Sequence, residues 1–207
     1  MPASAPPAPP PEASELAYGT PYALDPTQVL NGANNGPGIY LAPAGTAGPA
    51  DTIAAWPAAW NILGYASSDG VTVGSSTTTN EIVPWQSIVP LMTVVTQRLL
   101  TMKMILWQLN DITLALYFDA DPPTPTGTGA ASAISMQVRS DKPQHLYAVG
   151  LDSMDVNHAF RVIFPRAVMS TAADMTIKRG EAVPLDVTLT ALDTAGVLAN
   201  VLLGPHA

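Results

Sequence analysis

The chain has 207 residues, 47% of them apolar, no cysteine and only 12% charged, with a formal net charge of −8. That length and apolar content suit one or two domains with a real core, and the missing thiols exclude disulfides and thiolate metal sites and fit assembly in a reducing cytoplasm. Residues 1–97 hold Glu12, Glu15, Asp25, Asp51, Asp69 and Glu81 without one Lys, Arg or His, so that half cannot neutralise phosphates and stable DNA binding is disfavoured.

In chain order, residues 1–11 contain six prolines with Ala and Ser, a composition that makes extended chain and no core. We read residues 1–34 as a Pro/Ala-rich N-terminal arm. Neither basic residues nor an apolar run of signal-peptide kind occur there, and no run approaches eighteen apolar residues, so a membrane anchor is not expected. Turn signals stay dense to Pro57, with a short strand at residues 38–41 and apolar anchors Tyr18, Tyr22, Leu30, Ile39, Tyr40 and Leu41 that favour docking.

A strand at residues 60–65 ends at the turn Ser68, Asp69, Gly70. The tract 71–107 that follows is strand-like throughout, with Pro84 and Pro90 as its only breaks. Its central break leaves two segments of about fifteen residues, each on the order of 50 Å long, beyond the usual strand, and such a hairpin exposes edges that aggregate or pair with neighbours. In its return strand Met92, Val94, Leu100, Met102, Met104 and Leu106 share one parity, with Thr93, Gln97, Thr101 and Lys103 on the other.

Asn110 or Asp111 caps a short helix over residues 112–117. Residues 121–129, rich in Pro, Thr and Gly, form an exposed loop. Alternating strands then fall at residues 134–139, 145–151, 158–164, 175–178 and 183–190, with turns at 155–157 and 179–180. The sum is a mainly β fold, an antiparallel β-sandwich with one short α-helix.

Candidate chemistry is thin. His145, His158 and His206 stand at no metal-ligand spacing. Asp152, Asp155 and Asn157 could approach a calcium ion, but the calcium-loop Gly and Glu are missing and a solvated turn is the commoner use. No nucleophile elbow, phosphate loop or dinucleotide fingerprint occurs. No enzyme activity, cofactor or metal is expected. Trp56, Trp60, Trp85 and Trp107 could form a sugar platform, although buried anchors suit their apolar surroundings better. A non-catalytic adhesion or glycan-binding β-sandwich is therefore the alternative to assembly.

Several ordered signatures resemble a known family. They are Trp60-Asn61-Ile62-Leu63-Gly64-Tyr65, then Asp69-Gly70-Val71, then residues 81–87 with Trp85 and Gln86. After the Thr-rich return strand from Arg98 to Leu106 come Phe164-Pro165-Arg166-Ala167 and Lys178-Arg179-Gly180-Glu181. In order and spacing they resemble the major tail tube proteins of long-tailed (siphovirus-type) bacteriophages, especially those infecting actinobacteria, over about residues 35–192.

The resemblance implies a tail tube β-sandwich domain at 35–192, including the long hairpin 71–107, and a C-terminal strand and tail at 193–207. It also implies homo-hexameric rings stacked into a helical tube in the virion tail, assembled in the host cytoplasm. The hairpins would close into an inner barrel through which DNA passes without stable binding. Tape measure, tail tip and tail terminator proteins are the implied partners. Lumen-facing residues would be Ser76, Thr78, Asn80, Glu81, Thr93, Gln97, Thr101 and Lys103, with Glu81 or Asp69 beside Lys103. Inter-subunit residues would be Trp85, Arg98, Leu100, Met102 and Trp107. The arm, the loop 121–129 and residues 197–207 are candidates for ring stacking.

Overall fold

The computed structural model describes residues 35–86, 88–126, 133–154 and 158–205. The expected arm at 1–34, the turn at 155–157 with its calcium question, and His206 lie outside the described residues. The elements are β1 (Asn35–Pro43), β2 (Asn61–Ile62), β3 (Ala66–Ile82), β4 (Met92–Leu106), α1 (Asp111–Phe118), β5 (Thr124–Thr126), β6 (Ala133–Ser135), β7 (Leu146–Met154), β8 (His158–Ala172), β9 (Leu185–Ala191) and β10 (Asn200–Pro205). The fold is mainly β and antiparallel, with one short helix among the described residues.

One sheet runs β2-β1-β7-β8-β9-β4-β3, and β10 adds to β8. The long strand β8 explains how one sheet makes two layers. Along one edge it pairs with β7, while its other edge serves β10 over residues 158–163 and β9 over residues 167–172. Between those partners lies Pro165, which has no N–H to donate. A strand that changes partners in this way turns the corner between packed sheets.

Period-2 alternation supplies the core. Leu185, Val187, Leu189 and Ala191 of β9 are buried, as are Met102, Met104 and Leu106 of β4. They pack with Ile39 and Leu41 of β1, Val149 and Leu151 of β7, and Val162 and Phe164 of β8. Leu116 reaches the same core from α1. That helix starts with a reciprocal cap: Thr113 N–H donates to Asn110 Oδ1 at 2.8 Å, and Asn110 N–H donates to Thr113 Oγ1 at 3.0 Å. It ends at Asp119, whose left-handed φ of 48° an Asp side chain tolerates.

A second, smaller core lies on the opposite face of β1, β7 and β8. There Trp60 packs with Ala42, Ala148 and Ile163, and Trp56 stacks on Tyr40 with ring centroids 4.2 Å apart. Buried Arg161 holds the covering loop to the sheet. Its guanidinium binds Asp152 Oδ2 through Nε at 3.1 Å and Nη2 at 3.0 Å, and Nη1 donates to the carbonyls of Asp51 and Ala54 at 2.8 and 2.7 Å. Trp56 Nε1 donates to the same carboxylate oxygen at 2.9 Å. Gly150 lies directly beneath the Trp56 ring, where a Cβ would collide with it.

Three expected strands come out differently. The strand expected at 60–65 shrinks to β2, because Trp60 turns into the smaller core and Gly64 takes a φ of 89°. Residues 175–178 form no strand: both edges of β9 are already taken, by β8 and β4. The strand expected at 134–139 is only β6, paired with β5 inside the predicted loop. Pro122, Pro123 and Pro125 withhold donors there, so the pair stays a two-stranded ribbon.

Candidate assembly surface

The hairpin β3–β4 divides into a held part and a free part. At its base, β9 pairs with β4 from Thr101–Thr190 to Leu106–Leu185. Beyond that point residues 92–100 of β4 pair with β3 alone, and β3 is the terminal strand of the sheet. Among the described residues, two unpaired edges therefore run along the projecting hairpin. From 75 to 99 every described residue is exposed except half-buried Pro84. Both faces of a two-stranded ribbon in water leave it marginal by itself.

Which side chains share a face follows from the register. Partners Val73–Met102 and Ser75–Leu100 carry the core face outward, and Thr77–Arg98 continues it. The opposite face carries Thr72–Lys103, Gly74–Thr101, Ser76–Leu99 and Thr78–Gln97. Pairing then slips by one residue, from Thr78–Gln97 to Thr79–Val95, so that Thr96 has no partner in the ladder. Its Oγ1 donates to the Thr78 carbonyl at 3.1 Å. Such a bulge reverses the facing of everything beyond it on the bulged strand.

The single parity expected for the return strand is accordingly broken. Met92 and Val94 join Ile82 and Asn80 on the face of Thr78 and Lys103, while Val95 and Thr93 join Thr79 and Glu81 on the face of Arg98 and Leu100. Of the expected lumen set, Ser76, Thr78, Asn80, Gln97, Thr101 and Lys103 lie together. Glu81 and Thr93 lie on the other side. The two charges of the projecting part, Glu81 and Arg98, thus share the face that continues the core.

Lys103 has an acidic neighbour, but neither Glu81 nor Asp69. Its ammonium lies 3.0 Å from Asp186 Oδ2 on β9. Asp186, Thr188 and Thr190 extend the polar face across β9, since they alternate with buried Leu185, Val187 and Leu189. Their alternation is plain in the sequence; only the pairing of β9 with β4 makes them part of this surface.

The expected inter-subunit residues separate in the same way. Met102 is fully buried in its own subunit's core and has no surface to offer a neighbour, which corrects that assignment. Leu100 packs half-buried against that core, and Arg98 is exposed. Trp107 is 43% exposed at the hairpin base. Trp85 is 98% exposed at the tip, beside Ile88 at 98% and Leu91 at 73%. The four tryptophans therefore do not act alike: Trp56 and Trp60 anchor the covering loop, and Trp85 is no buried anchor. With Trp56 and Trp60 packed inward, no four-ring sugar platform exists.

Elsewhere, polar clusters act as tethers. His145 Nδ1 lies 3.1 Å and Tyr147 Oη 3.4 Å from Asp119 Oδ1, joining the end of α1 to β7. Burial, reinforced by the Asp119 charge, holds the Tyr147 phenol well above its usual range. Lys142 binds Asp121 at 2.6 Å, and this hydrogen bond depresses the Asp121 carboxyl. No group of three or more potential ligands is arranged to hold a metal ion among the described residues.

The family model for phage tail tube proteins matches residues 22–203. No curated protein matches the chain.

Proposed function

The chain belongs to the phage tail tube protein family and is a structural component of the virion tail, and on that premise we propose how it builds the tube. Six subunits close a ring by pairing the free edge of β3 with the free outer edge of β4 in the next subunit, and rings stack into a helical tube that DNA traverses. The observation that carries this reading is the hairpin with two unpaired edges and both faces in water. Because β9 occupies the inner part of β4, a neighbour's β3 is limited to residues 92–100. Neighbouring hairpins are then offset along their length, and a barrel made of offset strands has tilted strands. The contact is head-to-tail, as ring closure requires.

In this reading the lumen face is the one bearing Ser76, Thr78, Asn80, Gln97, Thr101 and Lys103, extended by Thr188 and Thr190. It points away from the subunit core, is rich in hydroxyls and amides, and has its one cation matched by Asp186. A wall without free positive charge does not collect phosphates, so DNA slides instead of binding. Glu81, Thr93 and Arg98 belong to the outward face, where Arg98 and Trp85 meet other subunits. The long-tailed phage type and an actinobacterial host belong to the same reading, supported by the ordered sequence signatures. Tape measure, tip and terminator proteins would set where the tube starts and stops.

Negative-stain microscopy of the purified protein tests the proposal. Hollow tubes of uniform width are expected; isolated particles at every concentration would count against it.

A further inference from the structure

Between the end of α1 and the start of β7 the chain makes an excursion through the β5–β6 ribbon. The root of that excursion is closed by the Asp121 N–H, which donates to the Gln137 carbonyl at 3.0 Å. His145 sits at this root with a carboxylate beside each ring nitrogen: Asp119 Oδ1 lies 3.1 Å from Nδ1, and Asp121 Oδ1 lies 3.6 Å from Nε2. Its backbone N–H also donates to Asp119 Oδ1 at 3.1 Å, which holds the residue between the two. The remaining titratable groups around it are Tyr147, Lys142 and Arg139. The Tyr147 ring is tilted against the imidazole at 6.4 Å, with its hydroxyl 3.4 Å from Asp119 Oδ1. Lys142 Nζ lies 2.6 Å from Asp121 Oδ1, and Arg139 is turned to Asp141 at 2.8 Å.

A neutral imidazole has one N–H and one lone pair, whereas the imidazolium presents an N–H at both nitrogens. Either neutral tautomer therefore serves one carboxylate and turns a lone pair on the other. Only the protonated ring suits both. We propose that His145 is a proton-operated staple: protonated, it fastens the ribbon root at Asp121 to the end of α1 at Asp119, and on losing its proton it keeps Asp119 and lets Asp121 go. Asp121 is ready for either state. Its Lys142 hydrogen bond, helped by the charges of Lys142, Arg139 and His145, holds its carboxyl below the usual range, so release leaves the carboxylate matched by Lys142. An unfolded chain offers the ring no such pair of carboxylates. The protonated ring thus adds stability to the folded state at the acid end of the imidazole range, and that stability is lost as pH rises. The inference does not depend on tube formation.

Urea unfolding of the full chain as a monomer tests it, run from about pH 5 to pH 8, where imidazoles exchange their proton. Wild type is compared with His145→Gln, so that other titrating groups cancel. The folding equilibrium constant of wild type relative to the variant should fall about two- to fivefold across that range, the worth of a partly exposed ion pair. Asp121→Asn removes only the second carboxylate, and the ratio of wild type to this variant should fall likewise; it carries the test where His145→Gln fails to fold. A ratio to His145→Gln that is flat or rises with pH would overturn the proposal and leave His145 a neutral tether on Asp119. A flat ratio to Asp121→Asn would overturn it by showing that Asp121 takes no part.

Discussion

Strand β4 lives in two environments. From Thr101 to Leu106 it lies between β3 and β9, with Met102, Met104 and Leu106 buried in the core of its own subunit. From Met92 to Leu99 it has one partner, and every residue is exposed. The same covalent strand is thus held at one end by the core of its own subunit and at the other by β3 alone. A long apolar tip, with Trp85 at 98% exposure, is an aggregation hazard in a monomer. In the proposed tube it is a contact.

Substitutions that strike one half and spare the other sharpen this contrast. The largest effect is expected in the body: Arg161→Met leaves the Asp152 carboxylate buried without its partner, which costs about 3–5 kcal/mol, read by urea unfolding of the monomer. Phe164→Ala, at 0% exposure, should lose a similar ~3–5 kcal/mol. In the free half, replacing residues 77–98 by an Asn-Gly turn should shift monomer stability by no more than about 0.5 kcal/mol, as for surface changes generally. The same change should abolish tubes in negative stain. An intact tube, or a monomer that unfolds, would break the comparison.

Smaller effects are expected at the polar face. The Lys103–Asp186 pair is half exposed, with side-chain exposures of 52% and 23%, so Asp186→Asn should alter stability by only about 0–1 kcal/mol. It leaves Lys103 unmatched, and DNA release from assembled particles should slow and become salt-dependent. The least effect is expected at Asp51. Its carboxylate accepts the backbone N–H groups of Ala54 and Ile53, and these bonds lower its pKa below 3.8. The stabilisation is present above the unfolded value and lost as pH falls through the lower folded one. Wild type should therefore outlast Asp51→Ala near neutrality, with the gap in melting temperature closing below about pH 4.

Much of this was legible in the sequence because period-2 alternation survives wherever one face is buried. Residues 185–191 illustrate it, and so does Asn110 before the helix. What escaped has physical causes. The bulge at Thr96 leaves no composition signal, since Thr suits a regular strand equally well, and it moved Thr93 off the face of Gln97, whereas Glu81 on the unbulged β3 lies on the face opposite that of Thr78 and Asn80 by plain alternation. Asp186 could not be matched to Lys103 before β9 was known to pair with β4. Met102 and Trp85 both read as apolar contact candidates within one hairpin. Burial by β9 and the distant core decided between them, and neither is visible locally.

The most direct test is a side-chain-resolution cryo-electron microscopy map of the polymerised protein. The account predicts β3 of one subunit hydrogen-bonded antiparallel to residues 92–100 of the next, with Ser76, Thr78, Gln97 and Thr101 facing the bore. Hairpins lying outside the wall, or Arg98 and Glu81 lining the bore in place of these residues, would contradict it.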